Sequence, residues 1–209
     1  MRHFSAIGLE FLTLFFVFGL YLLPCPAQAQ ESLAVLKEQA ARMMTVYSDF
    51  TQETSIPMFK EPLRSHGRFA FAKPDTLLWE CLSPVQEGFV LQGDVGFRWQ
   101  DDKKSRVSFT PGSDPWATII ARQFIAWITF NVQSITSEYR IDQLPGQSMR
   151  LKMTPLKKDV GTVIESITIA FTSEGPASTV EIAEVNGGRT VISFFNTIVN
   201  APLDIGLFE

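Results

Sequence analysis

The sequence predicts an α+β protein in which a curved, incomplete antiparallel β-barrel carries helices as a lid over an apolar cavity. Two observations indicate the sheet: short segments of alternating apolar residues follow one another from Thr51 to Phe109, and the alternation returns from Ser148 to Phe195. Strands this short and closely joined form antiparallel meanders, and a sheet of roughly nine or ten strands tends to curl. A third observation is two segments with helical apolar spacing, which we expect to pack against the concave face.

The first residues have the pattern of a secretory signal peptide. A short polar start precedes the apolar run Phe11–Leu23, and Ala27-Gln28-Ala29 is a small-x-small cleavage site. We therefore expect residues 1–29 to be cleaved and residues 30–209 to form a single exported domain.

Two other interpretations of this start are weaker. A membrane anchor needs about 20 apolar residues, and the run here has about 13. A lipidated Cys25 needs a small residue before it, and Pro24 stands at that position.

Charge and cysteine content exclude several classes of protein. The net charge is −4, and it is the same without the predicted signal peptide, because Arg2 and Glu10 cancel. A mildly acidic chain is a poor partner for nucleic acid. Only Cys81 remains in the exported domain, so we expect no internal disulfide and interpret this side chain as buried filler.

The first helix is predicted over Ser32–Phe50, with Ser32 as its N-cap. Its apolar residues recur at spacings of three and four, which predicts a stripe that lies on an apolar surface. The stripe consists of Leu33, Leu36, Ala40, Met43, Tyr47 and Phe50.

The second helix is predicted over Asp114–Ile128, where Asp114 and Pro115 form an N-cap and first-turn pair. It is apolar around much of its circumference, so it should be buried or contact an apolar ligand. We interpret it as a lid over a cavity. Its lid residues are Trp116, Ile119, Ile120, Phe124 and Trp127.

The sequence lacks the parts of the common catalytic sites. His66 is the single histidine of the predicted exported domain, and no Gly-x-Ser-x-Gly elbow is present. Neither a metal-ligand cluster nor a Gly-rich phosphate loop is recognisable, so we expect no metal and no cofactor. The hypothesis is a binding protein rather than an enzyme.

Apolar surface is what the chain has in excess. The predicted exported domain keeps 13 of the 18 Phe residues and all four Trp. Most of them fill an ordinary core, but a wide sheet covered by only two helices can leave an apolar cavity, the usual form of a lipid site.

Several short motifs occur in an order that resembles the LolA family of periplasmic lipoprotein carriers. Phe50-Thr51-Gln52 is followed by Gly67-x-Phe69 before a basic residue and Pro, and then by Trp79. A Gly93-Asp94 turn and an Asn…Leu-Asp…Leu-Phe ending complete the pattern, which spans most of the predicted exported domain.

The resemblance implies an unclosed barrel whose cavity takes acyl chains, and a monomeric shuttle in the periplasm. Its cargo would be an acylated lipoprotein or another lipid, received from an inner-membrane release complex and passed to an outer-membrane acceptor. The implied lining continues along the alternating strands: Phe69, Phe71, Leu77, Trp79, Phe89, Leu91, Phe97 and Trp99.

Two departures from the family pattern leave alternatives open. Family carriers place Arg before the Pro, where it bonds to the lid; here Lys73 is expected to gate the lid without the planar fork of guanidinium. The sequence also stops at Glu209, where family carriers continue. A dedicated carrier of a glycolipid or polyene lipid fits as well, and a lipid-sensing module is the second class; a lipid enzyme fits least.

Overall fold

A single antiparallel sheet of eleven strands is the frame of the molecule, in a computed structural model that describes residues 26–93, 95–109, 125–126 and 129–209. Helix α1 is Pro26–Arg42, α2 is Val132–Glu138 and α3 is Lys158–Gly161. The strands are β1 Thr45–Ser55, β2 Leu63–Ala72, β3 Thr76–Ser83, β4 Glu87–Gln92, β5 Val95–Gln100, β6 Val107–Phe109, β7 Tyr139–Leu144, β8 Arg150–Pro155, β9 Ile164–Phe171, β10 Ala177–Glu184 and β11 Arg189–Val199.

The strand order shows two meanders joined at their ends. It runs β6-β5-β4-β3-β2-β1-β11-β10-β9-β8-β7, so β1 pairs with β11 and every other pair is of chain neighbours. Among the described residues, β6 and β7 are the two edges of the sheet. This confirms the predicted α+β class with a curved, incomplete barrel, and β7 is a strand that the sequence analysis did not predict.

The predicted first helix is wrong at both ends. Among the described residues it already includes Pro26, ahead of Ser32. It ends at Arg42, so that Tyr47 and Phe50 belong to β1. Helical and strand periods overlap in this region, because Val46, Ser48 and Phe50 alternate as well, and the alternating set is the one that is buried.

The two faces of the sheet carry separate apolar clusters. The concave face holds the main core, which runs across the sheet from Phe109 on β6 to Tyr139 on β7 and includes one face of α1. The convex face holds a smaller cluster, in which Phe208 packs with Ala70, Leu78, Val90 and Trp99. The concave side is therefore the side on which a ligand could be enclosed.

The predicted lid lies outside the described residues at all five of its positions: Trp116, Ile119, Ile120, Phe124 and Trp127. Of that segment, Ile125 and Ala126 are described; both are helical and half-buried, and both pack against the main core. The lid stays a prediction.

The described part of the chain holds no helix that combines the length and the apolar character needed to cross a bilayer.

Candidate functional site

An apolar cavity of about 60 Å³, partly open to solvent, lies between α1 and the concave face of the sheet. Helix α1 supplies one wall through Leu36 and Ala40, together with Met43 directly after its end. The opposite wall comes from both meanders, mainly through Val46, Phe69, Ile169, Phe171, Val180 and Phe194. This volume is well below the usual range of ligand pockets in proteins, about 300–1,000 Å³, so a larger ligand needs α1 to move away from the sheet.

The local sequence explains why these side chains meet. Leu36 and Ala40 are four residues apart, which places them on one face of α1, and Met43 follows in the next turn, where its backbone N–H donates to the carbonyl of Ala40 at 3.3 Å. The next residue after Ala40, Ala41, is exposed on the other side of the helix. On the strands, Ile169 and Phe171 are two residues apart and therefore face the same side.

Lys73 fixes the C-terminal end of α1. Its Nζ donates to the carbonyl oxygens of Ala40 at 3.0 Å and Ala41 at 2.7 Å, two of the last carbonyls of the helix. A cation at this end also interacts favourably with the helix dipole. The contact that the structure gives Lys73 is thus with α1; its predicted contact with the lid of residues 114–128 lies outside the described residues.

Two amide side chains attach α1 to the second meander. Asn200 donates from Nδ2 to the carbonyl of Arg42 at 3.0 Å, and its Oδ1 accepts from the backbone N–H of Met44 at 2.7 Å. Gln39 donates from Nε2 to the carbonyl of Ser173 at 3.1 Å. Polar contacts therefore hold α1 at one end, while apolar contacts alone face the cavity.

Of the eight predicted lining residues, only Phe69 lies in the wall of this cavity. Phe71, Leu77 and Leu91 point to the same concave face but are buried in filled core, with exposures of 0%, 0% and 4%. Trp79 and Phe89 are half-buried and pack against that core. A shared face was predicted correctly for these six, but the cavity is displaced toward β9–β11.

An aromatic cluster separates the cavity from the filled half of the core. Phe50 stacks on Trp79 with ring centroids 4.0 Å apart, and Phe69 meets Phe194 edge to face at 6.0 Å. Trp79 contacts both Phe69 and Phe194 at centroid distances of 6.2 and 6.4 Å. Phe69 and Phe194 therefore have one side against the cluster and the other against the cavity.

Phe97 and Trp99 are on the wrong side for the predicted lining. They pair with Val90 and Gly88, whereas Phe89 and Leu91 point to the concave face, so the β4–β5 register places Phe97 and Trp99 on the convex face. Trp99 is buried in the convex cluster. The guanidinium of Arg106 lies 5.0 Å from the ring centroid of Phe97. The alternation within β5 was predicted correctly, but the face of the sheet to which it belongs was not.

The side chains that could act as a nucleophile, base or metal ligand lie apart from the cavity. Cys81 is a buried free cysteine in the main core, and burial, reinforced by Glu87, raises the pKa of its thiol, so that it stays protonated at neutral pH. His66 is exposed on β2. Among the described residues, no group of three His, Cys, Asp or Glu side chains could hold a metal ion.

Some cavity residues belong to apolar patterns that the sequence shows, although the sequence did not assign them to a site. The α1 stripe and the alternation of Ile169 and Phe171 were both recognised, but nothing in a single sequence shows which apolar faces enclose space. Ser48 and Thr197 also line the cavity and carried no signal of their own.

A family model and two named relatives point to the same family. Residues 41–209 match the family model described as outer membrane lipoprotein carrier protein LolA. A protein of Bordetella avium named outer-membrane lipoprotein carrier protein is 24% identical over 196 residues, which cover 91% of this chain and 88% of the relative. A protein of the same name from Psychromonas ingrahamii is 24% identical over 176 residues, covering 84% of this chain and 80% of that protein.

Among solved structures, a LolA superfamily protein from Nitrosomonas europaea is similar with a TM-score of 0.48 and 10% identity, covering 87% of this chain and 97% of that one. The family model extends from the C-terminal end of α1 through both meanders to the last residue. The chain belongs to the LolA family.

Proposed function

We propose that this protein is a periplasmic carrier that holds the acyl chains of lipoproteins, or of other lipidated cargo, in the cavity beneath α1 and moves them from the inner to the outer membrane. The observation that carries the proposal is an apolar cavity, partly open to solvent, between α1 and the sheet. The names of the two relatives, both outer-membrane lipoprotein carrier proteins, support the same function.

The cavity suits an acyl chain on physical grounds. Transfer of a methylene group from water to an apolar surface contributes about 0.8 kcal/mol, so a lining of Leu36, Ile169, Val180 and Phe194 can hold a chain without a charged contact. The cargo is bound and released unchanged, so the proposal needs no catalytic group.

The construction of α1 fits reversible loading. Because only apolar side chains of α1 face the cavity, a ligand can separate the helix from the sheet without breaking a buried hydrogen bond there. Lys73 and Asn200 would keep the C-terminal end of the helix in place during this movement. We infer that a donor complex in the inner membrane and an acceptor in the outer membrane are the partners in this exchange.

Native mass spectrometry of the protein from the periplasm of a Gram-negative host tests the function. We expect a fraction of the molecules to carry one acylated species, and the mass of that species distinguishes a lipoprotein from a glycolipid. The control is protein refolded from denaturant without lipid, which should be empty and should take up a palmitoylated peptide at a one-to-one ratio. Bare protein from the periplasm, together with no uptake by the refolded protein, would contradict the proposal.

A further inference from the structure

The pairing of β1 with β11 is interrupted at one position in the wall of the cavity. Tyr47 pairs with Ile198 and Asp49 pairs with Phe195, so Ser48 alone lies opposite two residues, Asn196 and Thr197. This is a β-bulge, in which one strand carries an extra residue. Asn196 has a φ of +52°, in the left-handed region that asparagine tolerates better than most residues.

The bulge changes which side chain of β11 faces the cavity. Phe194 faces inward, so a regular strand would place Asn196 inward and Thr197 outward. With the extra residue, Thr197 lines the cavity beside Ser48. Asn196 instead donates from Nδ2 to the carboxylate of Asp49 at 2.9 Å. The bulge therefore places the Thr197 hydroxyl beside that of Ser48, which faces inward by the alternation of β1, in an otherwise apolar wall.

The protons of these two hydroxyl groups can be assigned from the surrounding oxygens. Ser48 is 1% exposed, and its Oγ lies 3.1 Å from the carbonyl oxygen of Asp49, 3.0 Å from that of Phe195 and 2.7 Å from Oγ1 of Thr197. Carbonyl oxygens only accept, so the single proton of Ser48 belongs to them. If Ser48 donated to Thr197 instead, bare lone pairs would face each other in both carbonyl contacts.

With the Ser48 proton assigned to a carbonyl oxygen, we infer that Thr197 donates its own proton to Ser48. Among the described residues, Ser48 is the one polar partner of the Thr197 hydroxyl. Oγ1 of Thr197 is left with acceptor capacity and no proton, next to an apolar cavity. An acceptor in such a place is satisfied by a hydrogen-bond donor and disfavours a second acceptor.

We propose that the Ser48–Thr197 pair makes the cavity selective for acyl ligands that carry a hydrogen-bond donor near the chain, such as an amide N–H or a hydroxyl group, over ligands with ester linkages alone. This inference rests on the proposed function and adds the linkage chemistry of the ligand. The apolar rest of the wall contributes affinity for the acyl chain, and Thr197 distinguishes an amide or hydroxyl group attached to that chain from an ester.

A matched pair of probes tests the selectivity. N-propyl decanamide and propyl decanoate have the same length and differ in one position, N–H against oxygen. Each is titrated against protein loaded with a fluorescent fatty acid, and the ratio of the two dissociation constants is compared between variants. We expect Thr197→Val, which keeps the shape and removes the acceptor, to lower the preference for the amide by about tenfold. Thr197→Ser, which keeps a hydroxyl, should retain it.

Ser48→Ala supplies a second and independent variant. Without Ser48 the proton of Thr197 is free to point into the cavity, so the ester should bind more tightly while the amide changes little. Thermal unfolding of each variant checks that the fold is kept. An amide-to-ester ratio that is the same in wild type, Thr197→Val and Ser48→Ala would overturn the inference and leave the carrier proposal standing. If neither probe displaces the fluorescent fatty acid from the wild-type protein, both proposals fail.

Discussion

Replacing Ala40 by Phe is expected to weaken the binding of a fluorescent fatty acid by about 100-fold. Ala40 is 2% exposed and faces the cavity from α1, so a phenyl ring at this position occupies space that the acyl chain needs. Excluding about four methylene groups at about 0.8 kcal/mol each accounts for an effect of that size. Fluorescence titration measures the affinity, and thermal unfolding shows whether the protein remains folded.

Ala41→Phe is the matched control, because Ala41 is the next residue of the same helix and is exposed. Both alanines lie at the end of α1 that Lys73 caps, so helix propensity and capping are affected alike. Equal losses of affinity in the two variants would show that the effect comes from the helix and not from the cavity.

Replacing Arg68 by Leu is expected to lower the free energy of unfolding by about 3–5 kcal/mol. Arg68 on β2 forms an ion pair with Glu80 on β3, across the register of the two strands, and Glu80 is 7% exposed. Removal of one partner leaves the other as an uncompensated buried charge, which is strongly destabilising. Urea unfolding monitored by circular dichroism measures the change.

The sheet offers a matched comparison for this pair. Arg64 and Glu53 also pair across strands, with 3.0 Å between Nε and Oε2, but 75% and 47% of their side chains are exposed. Arg64→Leu should therefore change stability by less than about 1 kcal/mol. Adding Glu80→Leu to Arg68→Leu should recover most of the loss. An Arg68→Leu effect as small as that of Arg64→Leu would contradict this account.

Alternation along the strands was enough to predict the sheet and its apolar face. Phe69, Phe71, Leu77, Phe89 and Leu91 share the concave side as the period of two requires. The same pattern cannot separate a filled core from a cavity, because both are lined by identical residue types. Phe71 and Leu77 are fully buried, so the position of the cavity depends on where α1 lies, and that is a tertiary property.

The errors have separate physical causes. The β4–β5 turn sets the phase of the next strand, and one residue of difference in register moves Phe97 and Trp99 to the opposite face. The apolar residues after Arg42 fit both a helical and a strand period. They form the strand β1 because they pair with two neighbouring strands, β2 and β11. The bulge at Asn196 follows from pairing with β1, so Thr197 could not be placed in the cavity from the alternation of β11 alone.

The central claim is that acyl chains bind between α1 and the concave face of the sheet. The most direct measurement is photo-crosslinking with a palmitic acid that carries a diazirine in its chain, followed by peptide mass spectrometry to locate the adducts. We predict adducts on α1 between residues 33 and 43 and on the facing strands at Val180 or Phe194, reduced by an excess of unlabelled fatty acid. Adducts confined to the convex face, at Phe97 or Trp99, or adducts that unlabelled fatty acid does not reduce, would contradict the account.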